Sequence, residues 1–136
     1  MPPTEPAKPE KTLEQIVDEV GLYPMAAFEF VEQGLSYTVK KMHGEVKDKN
    51  ANRHVSGRDL CEGLREFALS RWGLLAGTVL GRWNVRKTFD FGRIVFAMVE
   101  SGWMSKTDQD TIEDFRDVYD FKSAFEAGGY RIESKV

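Results

Sequence analysis

One pattern recurs along this chain and decides what it can become. It is an apolar stripe at i, i+3, i+4, i+7, opened by a capping side chain and closed by glycine or asparagine. Leu13, Ile16, Val17 and Val20 form the first stripe, with Thr12 as cap, Gln15 reaching back from three residues on, and Gly21 as the left-handed stop. From Pro24, a longer stripe runs through Met25, Phe28, Val31, Leu35, Val39 and Met42 to Gly44. Ser56 opens a third over about 58–72, with Leu60, Leu64, Phe67 and Ala68 inward and Gly73 at its end. A fourth, about 74–83, ends at Asn84. Thr88 caps a fifth, with Phe91, Ile94, Val95, Met98 and Val99 on its face and its end near Gly102. Thr107 with Asp110 announces a sixth carrying Ile112, Phe115, Val118 and Tyr119. No run sustains the period-2 alternation of a half-buried strand. The expected fold class is all-α, a single compact domain of five to seven short helices, with at most one short two-stranded element around 53–55 and 103–105.

Boundaries follow from composition shifts. Residues 1–11 hold four of the five prolines between charged residues and read as a disordered tail, because proline lacks a backbone donor and keeps its predecessor out of the helical region. Residues 12–126 read as the helical domain, with a polar exposed loop over 44–55, and 127–136 as a flexible C-terminal tail containing Gly128 and Gly129. With 136 residues, one domain is expected, and sixteen aromatic side chains suffice for its core. Cys61 is the single cysteine, so an internal disulfide is excluded. Two histidines and one cysteine cannot complete a structural zinc site without carboxylates, and no cofactor is expected. No apolar run approaches the ~20 residues that cross a bilayer, which leads to the expectation of a soluble, cytoplasmic protein with no membrane partner.

Several constellations invite a functional reading. Gly73, Gly77 and Gly81 recur every fourth residue, so on one continuous helix they would leave a bare face for close approach of another backbone. The alternative is that Gly73 caps, Gly81 sits in a last turn and only Gly77 packs. Two Arg-Trp pairs, Arg71-Trp72 and Arg82-Trp83, share a face only if Gly73 leaves the helix unbroken. Charge is polarised, net +3 over 57–93 and −4 over 94–136. Arg71, Arg82, Arg86 and Lys87 are the candidate phosphate contacts, with Arg58, Arg65 and Arg93 in the same stretch and Trp83 available to stack on a base. The competing reading pairs these arginines with the acidic run at 108–120. That run lacks the alternating ligands, inner glycine and distal glutamate of a calcium loop and reads as helix N-terminal acids on a solvated face. Asp90-Phe91-Gly92 spells a kinase tripeptide without the other kinase signatures. FEFVEQGL (28–35) and FAMVESGW (96–103) align at an offset of 68, a single match that reads as coincidence between two amphipathic helices. His43, His54 and Cys61 are the soft-ligand and nucleophile candidates; Cys61 faces inward, and an approach of His54 to Cys61 is where a catalytic site would be sought.

The segments TLEQIVDEVGLYPMAAFEFVEQGLSYTVKKMHG, HVSGRDLCEGLREFALSRWGLLAGTVLGRWNV and TFDFGRIVFAMVESGWMSKTDQDTIEDFRDVYDF resemble a family of small uncharacterised bacterial proteins over about 12–126. The resemblance implies a bacterial cytoplasmic protein and carries over no site residues.

The expected function is a non-enzymatic interaction domain that assembles with itself or docks to another protein. Trp83 and Trp103, at helix ends beside Asn84 and Gly102, are the expected partly exposed anchors, with Gly73, Gly77 and Gly81 as the remaining candidate interface. The alternative is an RNA- or DNA-binding helical module, in the setting of the ribosome for instance, that uses the arginines of 57–93. No catalytic, cofactor-binding or metal residues are assigned.

Overall fold

Side-chain caps set where the helices begin. In the computed structural model, which describes residues 10–44 and 53–125, Thr12 Oγ1 accepts from the Gln15 amide at 3.1 Å while Gln15 Oε1 accepts from the Thr12 amide at 2.8 Å. That reciprocal box opens α1 (Leu13–Val20), and Gly21, at φ 70°, stops it. Helix α2 (Met25–His43) follows Pro24 and closes at Gly44. Ser56 and Asp59 form the second box, at 3.0 and 3.4 Å, and open α3 (Gly57–Trp72). Gly73, at φ 54°, breaks the chain into a 3₁₀ turn (Gly73–Leu75), from which α4 (Ala76–Arg82) continues to left-handed Asn84, at φ 65°. Helix α5 (Thr88–Glu100), a 3₁₀ turn at Ile112–Phe115 and α6 (Phe121–Phe125) complete the order. The fold is all-α, as expected. Among the described residues no strand forms, so 53–55 and 103–105 are irregular. The expected tails and most of the polar loop, 1–9, 45–52 and 126–136, lie outside the described residues.

Two caps differ from expectation. At α5 the cap comes from Asp90 rather than Thr88: its Oδ2 accepts from the Arg86 and Lys87 amides at 2.8 and 3.2 Å. Thr88 turns inward instead, donating to the Phe115 carbonyl at 2.6 Å and accepting from the Val118 amide at 3.1 Å. The Thr107–Asp110 signature opens no helix. Asp110 accepts from the Thr107 amide at 2.9 Å, Asp114 from the Thr111 amide at 3.0 Å, and Asp117 takes φ 51°. Asp110 and Asp114 each accept from the amide three residues before them, the contact that opens α3 at Ser56, but here the chain goes on as successive turns.

Phe115 fixes where those turns sit. It is fully buried, and a Cβ at Gly57 or Gly92 would come within 2.9 or 2.8 Å of its side chain, so both helices need glycine there. The kinase-like tripeptide thus resolves into a capping Asp90, a core Phe91 and a Gly92 that seats Phe115.

Helix α2 buries two faces. Beside the expected Phe28, Val31, Leu35 and Val39, it buries Ala27 and Phe30, whereas Met42 stays 45% exposed. The Phe30 ring lies 5.4 Å from Phe67, 5.2 Å from Trp72 and 5.8 Å from Trp83. Against α3, α2 closes at two glycines: a Cβ at Gly34 would lie 2.1 Å from Leu64 Cδ2, and one at Gly63 would lie 1.8 Å from Thr38 Oγ1. Helix α5 adds Phe91, Ile94, Val95 and Met98. The aligned octapeptides do different jobs: Gly34 lies inside α2 against Leu64, while Gly102, at φ 85°, follows the end of α5.

Candidate functional site

The Arg-Trp pairs meet by a route that linear periodicity does not contain. Gly73 does break the helix, yet the Trp72 and Trp83 rings cross at 5.4 Å and 81°, brought together over Phe30. Arg71 lies over the Phe67 and Trp72 rings and donates to Gln33 at 2.8 Å, which ties it to α2. Arg82, Arg86 and Lys87 are exposed and form no ion pair among the described residues. Arg93 pairs with Asp90 at 3.4 Å. None of Arg71, Arg82, Arg86 or Arg93 pairs with an acid of 108–120.

Asp90 is the buried hub beside them. Tyr23 donates to its Oδ1 at 2.5 Å, and burial, with that hydrogen bond, pushes the Tyr23 phenol up to about 12. The tyrosine therefore remains a neutral donor at physiological pH.

Trp83 and Trp103 are both partly buried. Trp103 is already engaged: its indole N–H donates to the Lys11 carbonyl at 2.7 Å, beside the Glu10 amide donating to the Ser101 carbonyl at 2.9 Å. The glycine trio forms no bare face. Gly73 is the cap of α3, and a Cβ at Gly77 would sit 3.3 Å from Phe125 Cβ, so α6 packs there. Gly77 and Gly81 instead hollow out a groove of about 350 Å³ between α4 and α6, floored by Leu74, Val85, Phe121 and Phe125 and edged by Arg86 and Lys122. Leu74 is 51% exposed and Leu75 62% exposed, the largest exposures among the big apolar side chains described.

A second groove, of about 380 Å³, is polar and lies at the start of α3. His54 Nε2 lies 3.2 Å from Asp110 Oδ1, and His43 Nε2 lies 2.8 Å from the His54 carbonyl. Arg58 and Arg116 line the same groove, Arg116 holding Glu113 through two donors at 2.7 and 3.1 Å. His54, where a catalytic approach to Cys61 would be sought, lines this polar groove, and Cys61 does not. Cys61 is fully buried, lines neither groove, and its thiol is pushed up by burial, with the neighbouring Glu62 adding to the shift. Ser56 Oγ is spent on the α3 cap. The groove thus holds a histidine–carboxylate pair with its serine committed elsewhere. Among the described residues no group of three or more His, Cys, Asp or Glu could hold a metal ion, and no helix is long and apolar enough to cross a membrane.

Asp110 carries a pH prediction. Burial acts to raise its carboxyl, yet it is held below the ordinary carboxylate value, with the Thr107 amide and then His54 among the groups that lower it. A carboxyl depressed by folding stabilises the fold above its unfolded value, about 3.9, and loses that contribution as pH falls through its lower folded value. Asp110→Asn should therefore be about 1 kcal/mol less stable at pH 7 and converge on the parent in strong acid. Urea midpoints across that range check it. A constant difference at every pH would assign the loss to packing rather than charge.

Only Asp110's spacing to Thr107 was visible in the sequence; its burial and its meeting with His54, 56 residues away, were not. Nor does any local signal mark Leu74 and Leu75 as exposed.

Comparison of the chain with family models, with curated proteins and with solved structures gave no match.

Proposed function

We propose that this chain is a non-enzymatic helical interaction domain that binds protein, a second copy of itself included, through the α4–α6 face. The observation that carries this reading is the groove with an apolar floor that the exposed Leu74 lines, with Leu75, the next residue, exposed as well. Burying a side chain of that size against a partner is worth about 1.5–3 kcal/mol, and exposed apolar surface of this kind marks contact sites. The one candidate nucleophile, Cys61, supports the same reading, since it is sealed in the core. On this reading, the resemblance to small bacterial proteins makes it a bacterial, cytoplasmic adaptor. Light scattering across a concentration series tests it. The parent chain should gain mass with concentration and Leu75→Glu should stay monomeric; a parent that remains monomeric throughout and binds no protein partner overturns the reading.

A second reading is favoured by one observation: Arg82, Arg86 and Lys87 are exposed beside the partly exposed Trp83. They suit a nucleic-acid backbone with a stacked base, and Arg71, tied to Gln33, would contribute less. Binding of this kind falls by orders of magnitude between low and moderate salt because phosphate contacts release counterions. Cellular RNA not retained even at low salt eliminates it.

A further inference from the structure

Resting on that protein-binding reading, we infer that the α4–α6 groove takes an acidic partner segment carrying a large apolar side chain. Shape and charge lead to this occupant together. Gly77 and Gly81 contribute no side chains, so the apolar floor of Leu74, Val85, Phe121 and Phe125 is open to a side chain inserted from above. Arg86 and Lys122 stand on the rim, no carboxylate lines the groove, and neither cation forms an ion pair among the described residues. Among the described residues, the Arg86 guanidinium donates at 3.4 Å, to Asn84. A partner with carboxylates flanking a leucine or phenylalanine would fill the floor and pair the rim. A nucleic-acid backbone would use the two cations and leave the apolar floor empty.

The test is an NMR titration of the full chain with the acetylated peptide Glu-Asp-Leu-Phe-Asp-Glu. Two control peptides, Glu-Asp-Ala-Ala-Asp-Glu and Lys-Lys-Leu-Phe-Lys-Lys, and oligo-dT complete the set. The first peptide should move the amide signals of Gly77, Thr78, Gly81 and Phe121, and either control should bind about tenfold more weakly. Arg86→Glu and Lys122→Glu, both at exposed positions, should each weaken it about tenfold and improve binding of the lysine peptide. Equal binding of the alanine peptide overturns the apolar anchor. Equal binding of the lysine peptide overturns the charge assignment, and shifts with oligo-dT alone transfer the site to nucleic acid. If no peptide binds while the parent chain still self-associates and Leu75→Glu does not, the occupant is wrong and the interaction reading stands. If self-association is absent as well, both fall.

Discussion

Replacing Phe115 by alanine is expected to cost about 3–5 kcal/mol, the range for removing a fully buried aromatic whose site cannot collapse. Collapse is blocked here because the ring's neighbours are the backbones of Gly57 and Gly92, on α3 and α5, with Phe96 edge-on at 6.2 Å. Nothing flexible borders the ring on the glycine sides. The ring also anchors the Ile112–Phe115 turn, whose carbonyl at Phe115 holds the Thr88 hydroxyl. The loss should therefore appear twice: in the urea midpoint, and as hydrogen exchange accelerated at Asp114, Arg116 and Val118 beyond the global change. A loss under about 1 kcal/mol, with those amides unaltered, would show that the turns hold themselves without the ring.

Gly63→Ala is the second large effect, expected at about 2–3 kcal/mol net destabilisation. Alanine gains roughly 1 kcal/mol over glycine inside a helix, so the sign depends on the clash. The added Cβ would lie 1.8 Å from Thr38 Oγ1, 2.8 Å from its Cβ and 2.9 Å from its Cγ2. Turning the threonine about χ1 leaves its Cβ at 2.8 Å and breaks the hydroxyl's bond to the Gly34 carbonyl at 2.7 Å. Helices α2 and α3 must therefore separate. The paired change Gly63→Ala with Thr38→Ala should recover most of the loss, a coupling that a double-mutant cycle measures. Gly34→Ala should cost less, because it meets the mobile end of Leu64. Additive losses in the cycle would place the strain elsewhere than at Thr38.

These two sites show where the sequence was legible and where it was not. Helix starts at Thr12 and Ser56, and stops at Gly21, Gly73 and Asn84, could be read because a cap is chemistry among residues three or four apart. The short Thr107–Asp110 spacing was equally visible but ambiguous, since the same reciprocal hydrogen bonds open a helix or close a turn. The choice is made by Phe115 reaching Gly57 and Gly92, contacts that no local window contains. The glycines follow the alternative given for them, with Gly73 as a cap, Gly81 in a last turn and Gly77 packed on Phe125. Gly73, Gly77 and Gly81 advertise themselves by their spacing, yet the tightest contacts between α2 and α3 are made by Gly34 against Leu64 and Gly63 against Thr38, which form only once the two helices pair. The α4–α6 groove, likewise, exists because α6 returns to α4, and the stripes of either helix alone do not announce it.

The crossed Trp72 and Trp83 rings have an optical consequence. Two indoles 5.4 Å apart and nearly perpendicular form a coupled, chirally oriented chromophore that exists only while α3, α4 and Phe30 are assembled. Trp103 stands at the other end of α5, bonded to the Lys11 carbonyl. The three native tryptophans therefore divide into two independent reporters. The near-ultraviolet signal of the pair follows closure of the helical core, and the part of the emission that Trp103→Phe removes follows the docking of residues 10 and 11. The order of those two events can be followed by stopped flow on the parent chain and Trp103→Phe without an extrinsic label.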